Sequence, residues 1–223
     1  MLKKILLPAL ALGAMGAFAT SAQAHEVSSY VQISAGQSKA EKFELTKHIG
    51  NAWDYSSSNR TDTAYKIAVG LKINPHIAIE GQYIDLGKSK YKSGNYYMGT
   101  LDETGKASID SYGLGMNLVG AYPVGDFSLF AKVGYHLMRT KYSQRVVEYG
   151  NPTYSESQSS SSRKLIPSFG VGVSYAMTNH LAVLIEHERF NGLGRGSKVN
   201  HFGDKYSVKH DVDFTSIGLR YHF

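Results

Sequence analysis

Between Thr63 and Ile73 the chain alternates strictly: Tyr65, Ile67, Val69, Leu71 and Ile73 share one parity, and Ala64, Lys66, Ala68, Gly70 and Lys72 the other. Successive side chains leave a strand on opposite faces, so a period of two predicts a strand. The same contrast returns in Ser28–Gln37, Ile77–Leu86, Ser111–Tyr122, Phe127–Tyr142, Leu165–Tyr175, Leu181–Phe190 and Val212–Phe223, which predicts eight strands. Their connections alternate between long and short. Ala40–Asp62, Lys90–Ala107, Ser143–Lys164 and Asn191–Asp211 are long, whereas Asn74–His76, Pro123–Asp126 and Met177–His180 are short. Four long and three short connections place both termini and every tight turn at one end of the sheet. The long segments are polar, and Ser155–Ser162, written SESQSSSS, is low-complexity and is expected to form a mobile loop.

Alternation alone does not say which face meets water. One face carries Ile, Val, Leu, Phe and Tyr; the other carries Gly, Ala and Ser together with Lys66, Lys72, Glu80, Gln82, Asn117, Lys132, Glu186, Glu188 and Arg220. Small residues with a few long charged ones suit the narrow interior of an eight-stranded barrel. An all-round coat of large apolar residues ending in Tyr suits lipid bounded by an aromatic girdle. Mean hydropathy is −0.26 and no run of about 18 apolar residues occurs, which excludes a helical membrane protein. The expected fold is therefore an all-β, eight-stranded antiparallel up-and-down transmembrane barrel with four long external loops and three short periplasmic turns.

Residues 1–24 read as a secretory signal peptide, with Lys3 and Lys4 ahead of the apolar run Ile5–Ala19 and the small-x-small pattern Ala22-Gln23-Ala24. Residues 25–223 form the barrel domain. Its end, Ile217-Gly218-Leu219-Arg220-Tyr221-His222-Phe223, places apolar or aromatic groups at alternate positions. A terminal Phe on such a strand resembles the assembly signal of Gram-negative outer-membrane barrels, with Tyr221 and Phe223 as its aromatic residues and the barrel assembly machinery as its reader.

Four further segments carry a wider resemblance. Ile79–Gly87, Phe127–Tyr135, Gly170–Tyr175 and Glu186–Phe190 are similar to strand motifs of OmpA-like transmembrane domains and opacity-type porins. The resemblance spans nearly all of Ser28–Phe223 and implies a monomeric barrel in the outer membrane of a Gram-negative bacterium, surrounded by lipid and lipopolysaccharide. The chain stops at the barrel, so the peptidoglycan-binding domain of full-length OmpA is not carried over.

Chemistry is then sought in the lumen, the rim and the loops. Lys66, Lys72, Lys132 and Arg220 nearly balance Glu80, Glu186 and Glu188. Buried charges persist only when paired, so these residues are expected to form an ionic plug. The resemblance implies such a plug at Glu80, Lys132, Glu186 and Arg220, with Glu80 and Glu186 each neutralising Lys132 or Arg220. A structural plug and a gate for small ions both remain open. At the rim, His210, Asp211 and Asp213 are candidate catalysts, but neighbours on a strand point to opposite faces and no nucleophile motif accompanies them. With no cysteine and scattered histidines, neither a thiolate site nor a zinc site is expected, and no cofactor is implied. The fourth long loop is basic, with Arg195, Lys198, Lys205 and Lys209, and could engage lipopolysaccharide phosphates, acidic host glycans or other envelope ligands. The reading is a non-enzymatic surface protein acting in adhesion or envelope integrity through its external loops, with no nucleic-acid partner. A low-conductance channel and a soluble lipocalin-like binder are the alternatives.

Overall fold

The computed structural model describes residues 28–41, 55–97, 100–149, 154–194, 198–199, 205–206 and 210–223. The expected signal peptide lies outside these residues. Strands β1 (Ser29–Ala40), β3 (Thr61–Asn74), β4 (Ile77–Tyr97), β5 (Thr100–Val124), β6 (Phe127–Glu148), β7 (Tyr154–Ala176), β8 (Leu181–Leu193) and β11 (His210–His222) pair in chain order, each antiparallel to the next. β11 then returns to β1, from Tyr30↔His222 to Ala40↔Val212, and closes the barrel. Closure removes the unpaired edges that lipid would leave unsatisfied. Among the described residues no helix is long and apolar enough to cross a membrane, which is consistent with crossing by strands.

The three tight turns fall where expected. At Asn74 the side-chain Oδ1 accepts the backbone N–H groups of His76 and Ile77, both at 2.8 Å, and Thr178 Oγ1 accepts those of His180 and Leu181 in the third turn. Asx and ST turns of this kind satisfy backbone donors without extra chain.

The other end departs from the expected loops. β4 runs through Tyr97, β5 starts at Thr100, β6 reaches Glu148 and β7 starts at Tyr154, so most of Lys90–Ala107 and Ser143–Lys164 is paired sheet. The Ser-rich run is strand and not a mobile loop: Ser157 lies opposite Arg145 and Ser162 opposite Thr140. A short strand β2 (Tyr55–Asn59), inside the first long connection, joins the same extension through β4. Gly87 marks the passage from barrel to extension. Its φ of 71° permits a bulge between Asp85 and Lys88, and the Asp85 carboxylate accepts the Gly87 N–H at 3.0 Å. In the fourth long connection, β9 (Lys198–Val199) and β10 (Lys205–Tyr206) form a small hairpin.

The large apolar residues point outward. Leu118, Val133, Val171, Ile185 and Ile217 are each more than half exposed, while Lys66, Glu80, Lys132 and Glu188 are buried inside. A soluble barrel has the opposite arrangement, and a continuous apolar coat of this extent is not carried by a soluble monomer. The lipocalin-like alternative is thereby overturned. Aromatic residues edge the coat near the turns: Phe127 meets Tyr175 with ring centroids 4.9 Å apart, and Tyr221 meets Phe223 edge-on at 5.2 Å.

Candidate functional site

Read from the tight turns outward, the inward side chains of β4 and β8 change character in the same order. β4 gives Ala78, Glu80, Gln82, Ile84 and Leu86; β8 gives Ala182, Leu184, Glu186, Glu188 and Phe190. The lumen therefore holds three layers. The first contains Tyr30, Ala78, Val119, Phe130 and Leu184. The second is ionic. The third, toward the long connections, packs Ile84, Leu86, Met138, Ile166, Phe190 and Phe214 with smaller neighbours.

The ionic layer is a chain of alternating charges. Lys132 Nζ lies 2.8 Å from Glu80 Oε1 and 2.6 Å from Glu186 Oε1; Lys66 Nζ lies 2.6 Å from Glu186 Oε2 and 3.0 Å from Glu188 Oε2. Two cations thus serve three carboxylates, with Glu186 shared. Neutral groups complete the carboxylates' shells: Tyr30 Oη donates to Glu80 Oε2 at 2.9 Å, Gln82 Nε2 to Glu188 Oε1 at 2.9 Å, and Gln32 Nε2 to Glu186 Oε2 at 3.3 Å. Buried ion pairs are tolerable only with such hydrogen bonds around them. Inward glycines make room for the rings of this region, since a Cβ on Gly70 would run into Tyr30 and one on Gly115 into His136.

Arg220 departs from its expected role. It donates to Gln32 Oε1, at 2.7 Å from Nη2 and 3.2 Å from Nε, and its guanidinium carbon sits 4.3 Å from the centroid of Tyr30 and 5.4 Å from that of Phe130. Among the described residues it makes no ion pair with Glu80 or Glu186, and Lys132 pairs with both. The planar guanidinium suits a stacked position between rings. Lys72 is half-buried two residues from the first tight turn and outside the ionic chain. Gln32 and His136, which the charge pattern did not single out, belong to the layer, and Tyr30 reaches it from the first layer through its hydroxyl; inward parity was the signal that marks all three.

At the rim, His210 is buried, whereas Asp211 and Asp213 face outward and hold Arg189, at 3.1 and 3.3 Å, together with Glu41. The strand separates the His from both carboxylates. Lys198 and Lys205 lie in the β9–β10 hairpin, and Arg195 and Lys209 outside the described residues; the side chains of this basic loop are likewise outside the description. Tyr221 and Phe223 stand at the tight-turn end, where the Phe223 N–H donates to the Ser29 carbonyl at 2.9 Å and fastens the last residue to the first strand.

Known proteins agree with this architecture. Residues 7–223 match the model of the outer membrane protein beta-barrel domain. Among solved structures, Neisserial surface protein A aligns with 89% of this chain and all of its own at 17% identity, with a TM-score of 0.52. Ail, the attachment invasion locus protein of Yersinia pestis, covers 89% of this chain and all of its own at 14% identity and TM-score 0.47. The outer membrane protease OmpT from Escherichia coli aligns over 92% of this chain and 99% of its own at 14% identity and 0.48. No curated protein matches by sequence. An inward ionic layer, an outward apolar coat, closure of first strand on last and a family match over almost the whole length lead to one conclusion: the chain belongs to the outer membrane protein β-barrel domain family and resides in the outer membrane of Gram-negative bacteria.

Proposed function

We propose that this barrel works without catalysis, as a surface structural and interaction protein whose partners meet its external sheet and loops, in adhesion or in keeping the envelope intact. The observation that carries the reading is the layered interior: fully buried ion pairs lie between two apolar layers, while β4 to β7 continue well past the lipid-facing coat. A lumen filled in this way supports a closed interior over an open pore, and exposed segments on a rigid scaffold are where recognition residues concentrate. The partners in this reading are outer-membrane lipid and lipopolysaccharide, the assembly machinery that delivers a barrel ending in Phe223, and host or envelope ligands at the loops; the barrel acts as a monomer.

The lumen charges favour one alternative, a low-conductance channel. The two readings separate in planar bilayers and on cells. The refolded protein is expected to leave bilayer conductance at baseline, and a version with its external hairpins cut back is expected to fold yet lose binding to anionic cell surfaces. Open-pore conductance from the intact protein, or undiminished binding by the shortened one, reverses the assignment in favour of the channel.

A further inference from the structure

The tight-turn end of the lumen carries cations that the ionic layer does not use. Lys72 on β3 and Arg220 and His222 on β11 share the inward parity and lie on either side of β1, where Tyr30 is opposite His222 and the Lys72 N–H donates to the Ser28 carbonyl at 2.8 Å. The charged neighbours that act most on His222 are Lys72, Arg220 and His180, and on Lys72 it is Arg220, so groups of one sign converge. None of the three has a carboxylate within ion-pair distance among the described residues. Glu80, beyond the Tyr30 ring, is already held by Lys132 and by the Tyr30 hydroxyl.

Donors are left over at the same place. Arg220 spends Nε and Nη2 on Gln32 Oε1, and its Nη1 has no hydrogen-bond partner among the described residues. His222 Nδ1 is buried without one. Both side chains are held in position: the guanidinium by the rings of Tyr30 and Phe130, and the His222 ring edge-on to Tyr30 at 5.7 Å. Around the rest of the mouth the inward residues Ala78, Ala121, Ser174 and Ala182 are short, so none of these reaches across to the cations. A preset cationic group with unused donors and no acid of its own is completed by an anion with several acceptor oxygens.

Place decides which anion. The cations lie beneath the first apolar layer, at the end that carries the tight turns, so the site opens along the barrel axis to the periplasm and the strands wall it from the bilayer. A phospholipid headgroup would have to leave its leaflet and turn under the strand ends to reach it. We propose that Lys72, Arg220 and His222 form a binding site for a soluble periplasmic phosphate or phosphate monoester, which ties β3 to β11 across β1. The site needs no passage through the lumen and stands apart from whatever the external loops bind.

The test uses the mature protein folded in octyl glucoside, a detergent without phosphate, with sodium phosphate as the probe and sodium chloride of equal ionic strength as the reference. Phosphate should raise the heat-unfolding midpoint saturably, glycerol 3-phosphate should do the same, and chloride should not. The ring resonances of His222 should move with the same phosphate dependence, while those of His136, in the ionic layer, stay still. Lys72→Gln should raise the half-saturating phosphate concentration about tenfold, equivalent to roughly 1.4 kcal/mol. Lys72→Arg should retain most of the response, and Lys141→Gln with Arg163→Gln, on the external extension, all of it. Should Lys72→Gln not fold, His222→Gln carries the same expectation. An equal gain in chloride, an unaltered response in the Gln variants, or unmoved His222 resonances would overturn the proposal. A gain in phosphatidylglycerol nanodiscs with none from free phosphate would overturn it too, by assigning the cations to a lipid headgroup.

Discussion

Lys132 touches two carboxylates and Lys66 two, so each lumen lysine holds apart acids that would otherwise repel one another in a site shut off from water. Lys132→Met leaves Glu80 and Glu186 without that cation. We expect a loss of about 3–5 kcal/mol, read as a lower urea midpoint in detergent, because Glu80 is left buried without its paired cation and Glu186 keeps only Lys66. Arg220→Leu should cost less, since Gln32 and two rings lose a partner but no carboxylate does. A steric counterpart is Gly70→Val, whose side chain would occupy the space of the Tyr30 ring; a loss of about 1–3 kcal/mol is expected, and the double variant with Tyr30→Ala should cost less than the sum of the two single variants. The charged members of this layer could be read from parity alone, because a charge on the inward face of a narrow barrel has nowhere else to go. Their pairing could not. Whether Lys66, Lys132 or Arg220 reaches Glu186 depends on barrel stagger and side-chain length, and neither is written in the spacing along one strand.

At the scale of the element, the alternation of apolar and small residues located every barrel strand, and Asn, Pro, Gly and Asp located the tight turns. Strand ends on the far side were hidden for a physical reason. Beyond the hydrocarbon both faces of the sheet are polar, so the contrast that marks a strand fades, and a run such as Ser159–Ser162 has weak β preference of its own. These segments are strands because their neighbours are: β7 is carried by its pairing with β6, and a small apolar cluster of Ile109 and Tyr142, with Tyr91 and Ala107, backs the extension. Double Ser→Gly substitution at Ser159 and Ser161 should therefore loosen the upper part of β7, raising amide exchange there while leaving the barrel midpoint within about 0.5 kcal/mol. The other end of the molecule is less forgiving. Deleting Phe223 removes a backbone bond to Ser29 and a ring from the Tyr221 contact, and the expected result is a lower outer-membrane yield with more periplasmic degradation.

For the molecule as a whole, interior and exterior answer to different solvents, and the proposed function falls to the part that meets water. Lys132→Met should weaken the barrel without making it conduct, because Phe190, Phe214 and their neighbours still fill the lumen above the ionic layer. A rise in planar-bilayer conductance in that variant would show that the charges, and not the apolar layers, keep the pore shut. Contacts of the external face with anionic surfaces should weaken as salt rises, since exposed charges are screened over roughly 8 Å at physiological ionic strength.

The seam between β1 and β11 also has a meaning in time. It joins Tyr30 to His222 and Ser29 to Phe223, residues separated by nearly the entire polypeptide, and such remote pairings are slow to find. Until β11 exists, β1 has an open row of backbone donors and acceptors, and in hydrocarbon each of those groups costs several kcal/mol. A partial barrel therefore cannot wait in the bilayer for its last strand. Insertion must follow completion of the chain, and the order in which the ribosome makes the strands need not be the order in which they pair.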